Sequence, residues 1–225
     1  MKTKMKVILA VLLLIVLAAA GASAYAYQSE RTPQYALEQL AEGLANRDAA
    51  KIHRYADVES VVTKSYDEST DILAVHIEDL HQTYPQDWFF RHDTAFMKDY
   101  IANRRSDDLV FIQRCIEFYA DDNLTPISRS DGQAKWLSDE GVKFRDNYTV
   151  SLKGVEQKGD TAFATIEFTG KDTDYGRLVP HLTAIAELHQ RSDGHWQLTR
   201  FSNVGEMFYP IVKGIEDYWT MQGWQ

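Results

Sequence analysis

The chain has 225 residues, 24 Lys and Arg against 33 Asp and Glu, a net charge of −9 and one cysteine. Nucleic-acid binding needs clustered cations facing phosphates, so this balance argues against DNA or RNA as a partner. One cysteine also excludes a disulfide within the chain, and the fold must rest on packing and hydrogen bonds.

Lys2, Lys4 and Lys6 precede an uncharged, mostly aliphatic run over residues 7–27. A helix of about 20 apolar residues is long enough to cross the hydrocarbon core of a bilayer. A basic flank stays on the cytoplasmic side. The run therefore predicts a membrane partner and two open outcomes. Residues 1–27 are a signal anchor, giving a single-pass cell-membrane protein with one extracytoplasmic domain over 28–225. Alternatively they are a signal peptide cleaved after the small-x-small triplet Ala22-Ser23-Ala24, giving a secreted domain.

Thr32-Pro33 opens the first helix of that domain, Thr as N-cap and Pro at the first helical position. Tyr35, Leu37, Leu40 and Leu44 follow at helical spacing. Asn46-Arg47-Asp48 ends this helix, and Asp48 caps a second that carries Ile52 and Tyr55. Apolar residues over 57–81 predict two more helices joined near Glu68 to Asp71, with Asp57 as another cap. Tyr84-Pro85-Gln86 breaks the pattern. A longer helix is expected over 94–119, with a break point at Ser106-Asp107-Asp108. Residues 121–146 read as loop, because Asp122-Asn123, Thr125-Pro126 and Ser130-Asp131-Gly132 are turn chemistry; Trp136 and Leu137 are expected to dock from it onto the core.

After Asn147 the period changes to two. Residues 148–152, 162–168, 182–188 and 196–201 alternate apolar and polar, with hairpin punctuation at Lys158-Gly159-Asp160 and Ser192-Asp193-Gly194. A last helix starts near Gly205 and carries Met207, Phe208, Ile211, Val212 and Ile215. The fold class is α+β: several helices packed on a four-stranded antiparallel meander, with a C-terminal helix.

The series Pro33-Gln34-Tyr35-Ala36-Leu37, Arg47-Asp48 and Tyr55-Ala56-Asp57-Val58 resembles a bacterial family of exported or membrane-anchored domains of unknown function. That family implies no activity and no catalytic residues. The closing stretch Gly194-His195-Trp196-Gln197-Leu198 is similar, more loosely, to the last hairpin of nuclear-transport-factor-2-like cone folds. Such folds host both enzymes and binding domains.

No metal site, cofactor or nucleophile motif is legible. His76 and His81 are five apart, which on a helix separates them, and His92 stands next to Asp93. Cys115 sits in an apolar helical stretch and reads as a small buried hydrophobe. His181, Glu187 and His189 share parity on the third strand, and Glu167 shares a face with Phe163 and Thr165 on the second; if the two faces coincide, Glu167 with either histidine is the weak catalytic candidate as an acid/base pair. The competing reading is the solvent face of a one-sided sheet. Tyr84, Trp88, Phe89 and Phe90, with Phe96, are the candidate binding residues, against ordinary core packing. The sequence thus favours a non-catalytic, membrane-tethered envelope domain that binds a protein, peptide or small ligand. The alternative is a cone-fold enzyme with a pocket carboxylate/histidine pair.

Overall fold

A computed structural model describes residues 30–223. The expected membrane segment over 7–27 lies outside them. Among the described residues, no helix is long and apolar enough to cross a membrane.

Among the described residues, seven helices and four strands follow one another as α1 (Pro33–Asn46), α2 (Ala49–Tyr55), α3 (Val58–Thr83), α4 (Thr94–Ala120), α5 (Arg129–Asp146), β1 (Tyr148–Lys158), β2 (Thr161–Gly170), α6 (Asp174–Leu178), β3 (His181–Gln190), β4 (Trp196–Phe201) and α7 (Val204–Met221). The fold is α+β, and the sheet is an antiparallel meander in the order β1-β2-β3-β4.

The helix starts obey local rules. Thr32, Asp48, Asp57 and Asp93 each accept a backbone N–H of the first turn on a side-chain oxygen, capping α1, α2, α3 and α4. Such caps satisfy donors that have no partner inside the helix. Arg47, between α1 and α2, adopts the left-handed conformation with φ 57°, and the chain turns there.

Strand parity decides which side of the sheet is covered. Ala162, Ala164, Ala184, Ala186 and Leu188 are buried, whereas Thr165, His181 and Thr183 on the opposite parity are exposed. The small alanines let the helix layer come close. Ala36, Leu37 and Leu40 of α1 and Ile52 of α2 fill the space above Ala162, Ala164, Ala186, Leu188 and Leu198. Trp196 is the largest side chain of this core, and its buried indole N–H donates to Arg31 O at 2.9 Å. Where β3 meets β4 the register shifts between Glu187 and Leu188. Thr199 takes up the extra position and donates to Glu187 O, and Arg200 stands opposite Glu187.

A second core sits at the far end of α3. Ile77, Leu80, Tyr84, Phe90 and Met97 are buried together, with Leu73, Ile101, Tyr209 and Val212 packed around them. A 26-residue α3 therefore links two cores, one at each end.

Three expectations need correction. Residues 58–83 form one helix without a joint at Glu68 to Asp71. The helix from Thr94 likewise runs through Ser106-Asp107-Asp108 unbroken. The expected loop over 121–146 holds the 18-residue α5, and Trp136 and Leu137 are 55 % and 43 % exposed on it instead of docked in the core. The face that α5 buries is Asp131, Ala134 and Ser138, which are small or polar, so an apolar template misses it.

Candidate functional site

A groove of about 1050 Å³ has as its walls the start of α3, the second half of α4 and the turn into α5. Its position follows from the caps. Asp57 N donates to Leu198 O at 2.8 Å, which fixes the start of α3 against the edge strand β4. Asp57 Oδ1 accepts from Ser60 N, and Oδ2 accepts from Arg191 Nη2 at 2.7 Å. Arg191 Nε donates to Gln197, whose amide donates to His53 O. One end of the groove is thus braced by a polar chain running from α2 to the β3–β4 turn.

Arg114 braces the other end. Its guanidinium donates to Asp131 at 2.8 Å and Glu117 at 2.7 Å, and it lies over the Phe118 ring at 4.5 Å. Asp131 also accepts from Ile127 N, while its own N–H donates to the Ser128 hydroxyl. The Arg114 guanidinium first, and then the Ile127 N–H, hold the Asp131 carboxyl below the usual carboxylate range. This junction locks α5 onto α4.

The wall between the two braces is apolar, from Val58, Val62, Leu109, Val110 and Phe111. Its charged lining is five carboxylates, Asp57, Glu59, Asp107, Glu117 and Asp131, with Arg114, which already carries two of them. Among the described residues that line the groove, no hydroxyl is hydrogen-bonded to a histidine. A smaller depression of about 520 Å³ beside it, along α4 and α5, is lined by residues that include Phe111, Trp136 and Leu137.

The candidates from sequence fall elsewhere. Glu167 lies on the open face of the sheet, ion-paired to Lys153 at 2.5 Å. His181 pairs across from Thr169, one diagonal step from Glu167, and is exposed. His189 pairs across from Thr161, which is six residues along β2 from Glu167, about 20 Å at the rise of a strand. The structure therefore brings His181 near Glu167 and keeps His189 away from it. A carboxylate/histidine pair does form, between His189 and Glu187 at 2.9 Å, with Arg200 on the other Glu187 oxygen at 2.8 Å. It too lies on the face opposite the buried alanines, and none of these residues lines the groove or the depression beside it.

The aromatic candidates divide. Tyr84 and Phe90 are buried in the second core, and Phe89 is half-buried against it. Trp88 is exposed and joins Phe89, His92, Phe96 and Tyr100 in a continuous set of ring contacts. The helical histidines are occupied locally. His76 stacks on Tyr209, and His81 donates to Phe90 O. Cys115 is half-buried, and burial pushes its thiol up, which disfavours the nucleophilic thiolate.

The groove was not legible in sequence because its lining comes from four distant parts of the chain, 53–63, 107–117, 128–131 and Gln197. Asp57 was the single residue in it that the caps had marked. No protein-family model, curated protein or solved structure matches the chain.

Proposed function

We propose that the chain is a non-catalytic binding domain, tethered outside the cytoplasm through residues 7–27, that captures a basic and partly apolar peptide segment of a partner protein in the α3–α4–α5 groove. The observation that carries this reading is the groove lining: five carboxylates around an apolar wall. A cationic segment gains from such a field, both in encounter rate and in specificity. The depression is as large as the pockets that enclose drug-sized ligands, but it is open along one side, which suits a chain segment better than a compact molecule. The apolar, uncharged run behind Lys2, Lys4 and Lys6 supports the tether. The order of helices before a meander that closes at Trp196 supports a place near the cone-shaped folds, from which α7 departs.

The test is fluorescence anisotropy of the full chain with a labelled decapeptide alternating Lys and Leu, against the same peptide with Glu for Lys. The basic peptide binds and the acidic one does not. Reversing two acids of the lining that make no structural ion pair, Glu59→Lys with Asp107→Lys, weakens binding tenfold or more. Equal binding of both peptides, or turnover of ester, peptide, glycan or phosphate substrates by the purified chain, overturns the proposal.

A further inference from the structure

A smaller cavity of about 320 Å³, separate from the groove, lies where α7 crosses the turn after α3. Three carboxylates line it: Asp87 from the turn, and Glu216 and Asp217 from α7. Two of them are anchored through one oxygen. Asp87 Oδ1 accepts from the N–H of Phe89 and Phe90 at 2.7 and 2.9 Å. Asp217 Oδ1 accepts from the Tyr84 hydroxyl at 2.7 Å. Glu216 is different. It is only 9 % exposed and lines the cavity, yet among the described residues no donor or cation meets its carboxylate. Its oxygens open onto the cavity, so a cation there would meet a carboxylate that the fold leaves without a donor.

The surroundings do not supply the missing charge. Asp87 and Asp217 face Glu216, and Asp79 of α3 adds its charge near Tyr84. Lys213, one turn back on α7, has its ammonium over the Tyr209 ring at 5.7 Å. Burial first, then the two neighbouring carboxylates, push the Glu216 carboxyl up to about 7.

We propose that this cavity binds a primary ammonium group, with Glu216 as its acceptor, Asp217 and Asp87 as further negative charge around it, and Thr83, Tyr84 and Thr220 as its wall. An ammonium offers donors and no acceptor, which suits a cavity whose charged lining is carboxylate. The cavity is far larger than a bare ion, and no group of three His, Cys, Asp or Glu among the described residues is close enough to hold a metal. An organic amine fills the space, and its head offsets the buried charge of Glu216. The ammonium belongs to a free polyamine or to a lysine side chain of a partner, and the two present the same head group.

Isothermal titration of the full chain with spermidine, n-butylamine, an acetylated and amidated lysine, magnesium and calcium tests this. Amines bind, and binding tightens severalfold from pH 6 to pH 8 with release of a proton, because Glu216 must ionise to accept the ammonium. Spermidine as the tightest ligand assigns the site to free polyamines, and the blocked lysine as the tightest assigns it to a partner's side chain. Glu216→Gln keeps the shape of the helix and lowers affinity tenfold or more. Asp217→Asn, which keeps an acceptor for Tyr84, lowers it by a smaller factor. No amine binding at millimolar concentration, binding unchanged in Glu216→Gln, or a preference for the divalent ions overturns the proposal.

Discussion

Asp57 and Arg191, 134 positions apart in the chain, meet at 2.7 Å at one end of the groove. The same carboxylate caps α3 through Ser60 N, so one side chain both starts a 26-residue helix and ties it to the β3–β4 turn. The two roles separate by mutation. Loss of an N-cap costs about 1 kcal/mol, whereas a half-exposed ion pair contributes about 0–1 kcal/mol. Asp57→Ala is expected to lose both. Asp57→Asn keeps the cap and loses only the pair. Urea denaturation of both variants should show Asp57→Ala as the less stable, with an unchanged m-value.

Arg47 carries a comparable double duty. Its Nε and Nη2 donate to the carbonyls of Tyr119 and Phe118 at 2.7 and 2.8 Å, and Nη1 pairs with Asp122. These are the last carbonyls of α4, which have no partner within the helix and attract a cation. Charge-assisted bonds of this kind contribute about 1.5–3 kcal/mol each at most. Arg47→Ala is expected to destabilise the domain by about 2 kcal/mol, and Arg47→Lys to restore little, because a single ammonium cannot span two carbonyls and a carboxylate. Thermal melts of the two variants check this. The left-handed backbone at Arg47 gives Arg47→Gly a small compensation that Arg47→Ala lacks.

What sequence made legible was mostly local. Thr32, Asp48 and Asp57 show themselves as caps by residue type alone, and the alternation of Ala162-Phe163-Ala164-Thr165 with Ala184-Ile185-Ala186-Glu187 reveals both the strands and their buried parity. Gly159 and Gly194, at φ 66° and 86°, sit in the hairpin turns where left-handed geometry calls for glycine. Residues 129–146 were illegible because α5 buries Asp131, Ala134 and Ser138 while exposing Trp136 and Leu137, which inverts the usual apolar stripe. Its hold on α4 comes from Arg114 with Asp131, an ion pair between residues 17 apart that no periodicity encodes. The carboxylate partner of His189 was legible only to parity: Glu187 and Glu167 share a face, and the register decides that Glu187 is the one within reach.

The close approach at the end of β2 gives a sharp test of backbone geometry. A Cβ on Gly170 would stand 1.9 Å from Gly176 O, which is backbone and cannot move aside as a side-chain tip can. Gly170→Ala must therefore displace the chain around α6, at a cost of about 3 kcal/mol or more, at the upper end for overpacking. Gly154, beside the irregularity in β1, has open space where its Cβ would be. Gly154→Ala is expected to be neutral or to stabilise by about 0.4–1 kcal/mol through the unfolded state. Chemical denaturation of the two single variants separates them.

Glu216 gives the domain a pH response opposite to that of its paired carboxylates Asp131 and Glu187. Its folded value, about 7, lies above the ordinary 4.5, so the folded state holds the proton more tightly than the unfolded chain does. Its contribution is fully present below pH 4.5 and is lost as pH rises through 7. Asp131 and Glu187, held down in the fold, act in the other sense: their contributions are present above the ordinary carboxylate range and fade as the medium turns acid. The wild-type domain should therefore be most stable between these limits. Glu216→Gln removes only the alkaline arm. It should match the wild type below pH 5 and exceed it above pH 7, and a kilocalorie-scale gain corresponds to about 2–4 °C in Tm for a domain of this size. Melting curves from pH 4 to pH 9 without added amine measure the difference. An amine that occupies the cavity stabilises the ionised form of Glu216, so the same curves with saturating spermidine should close the gap from the wild-type side.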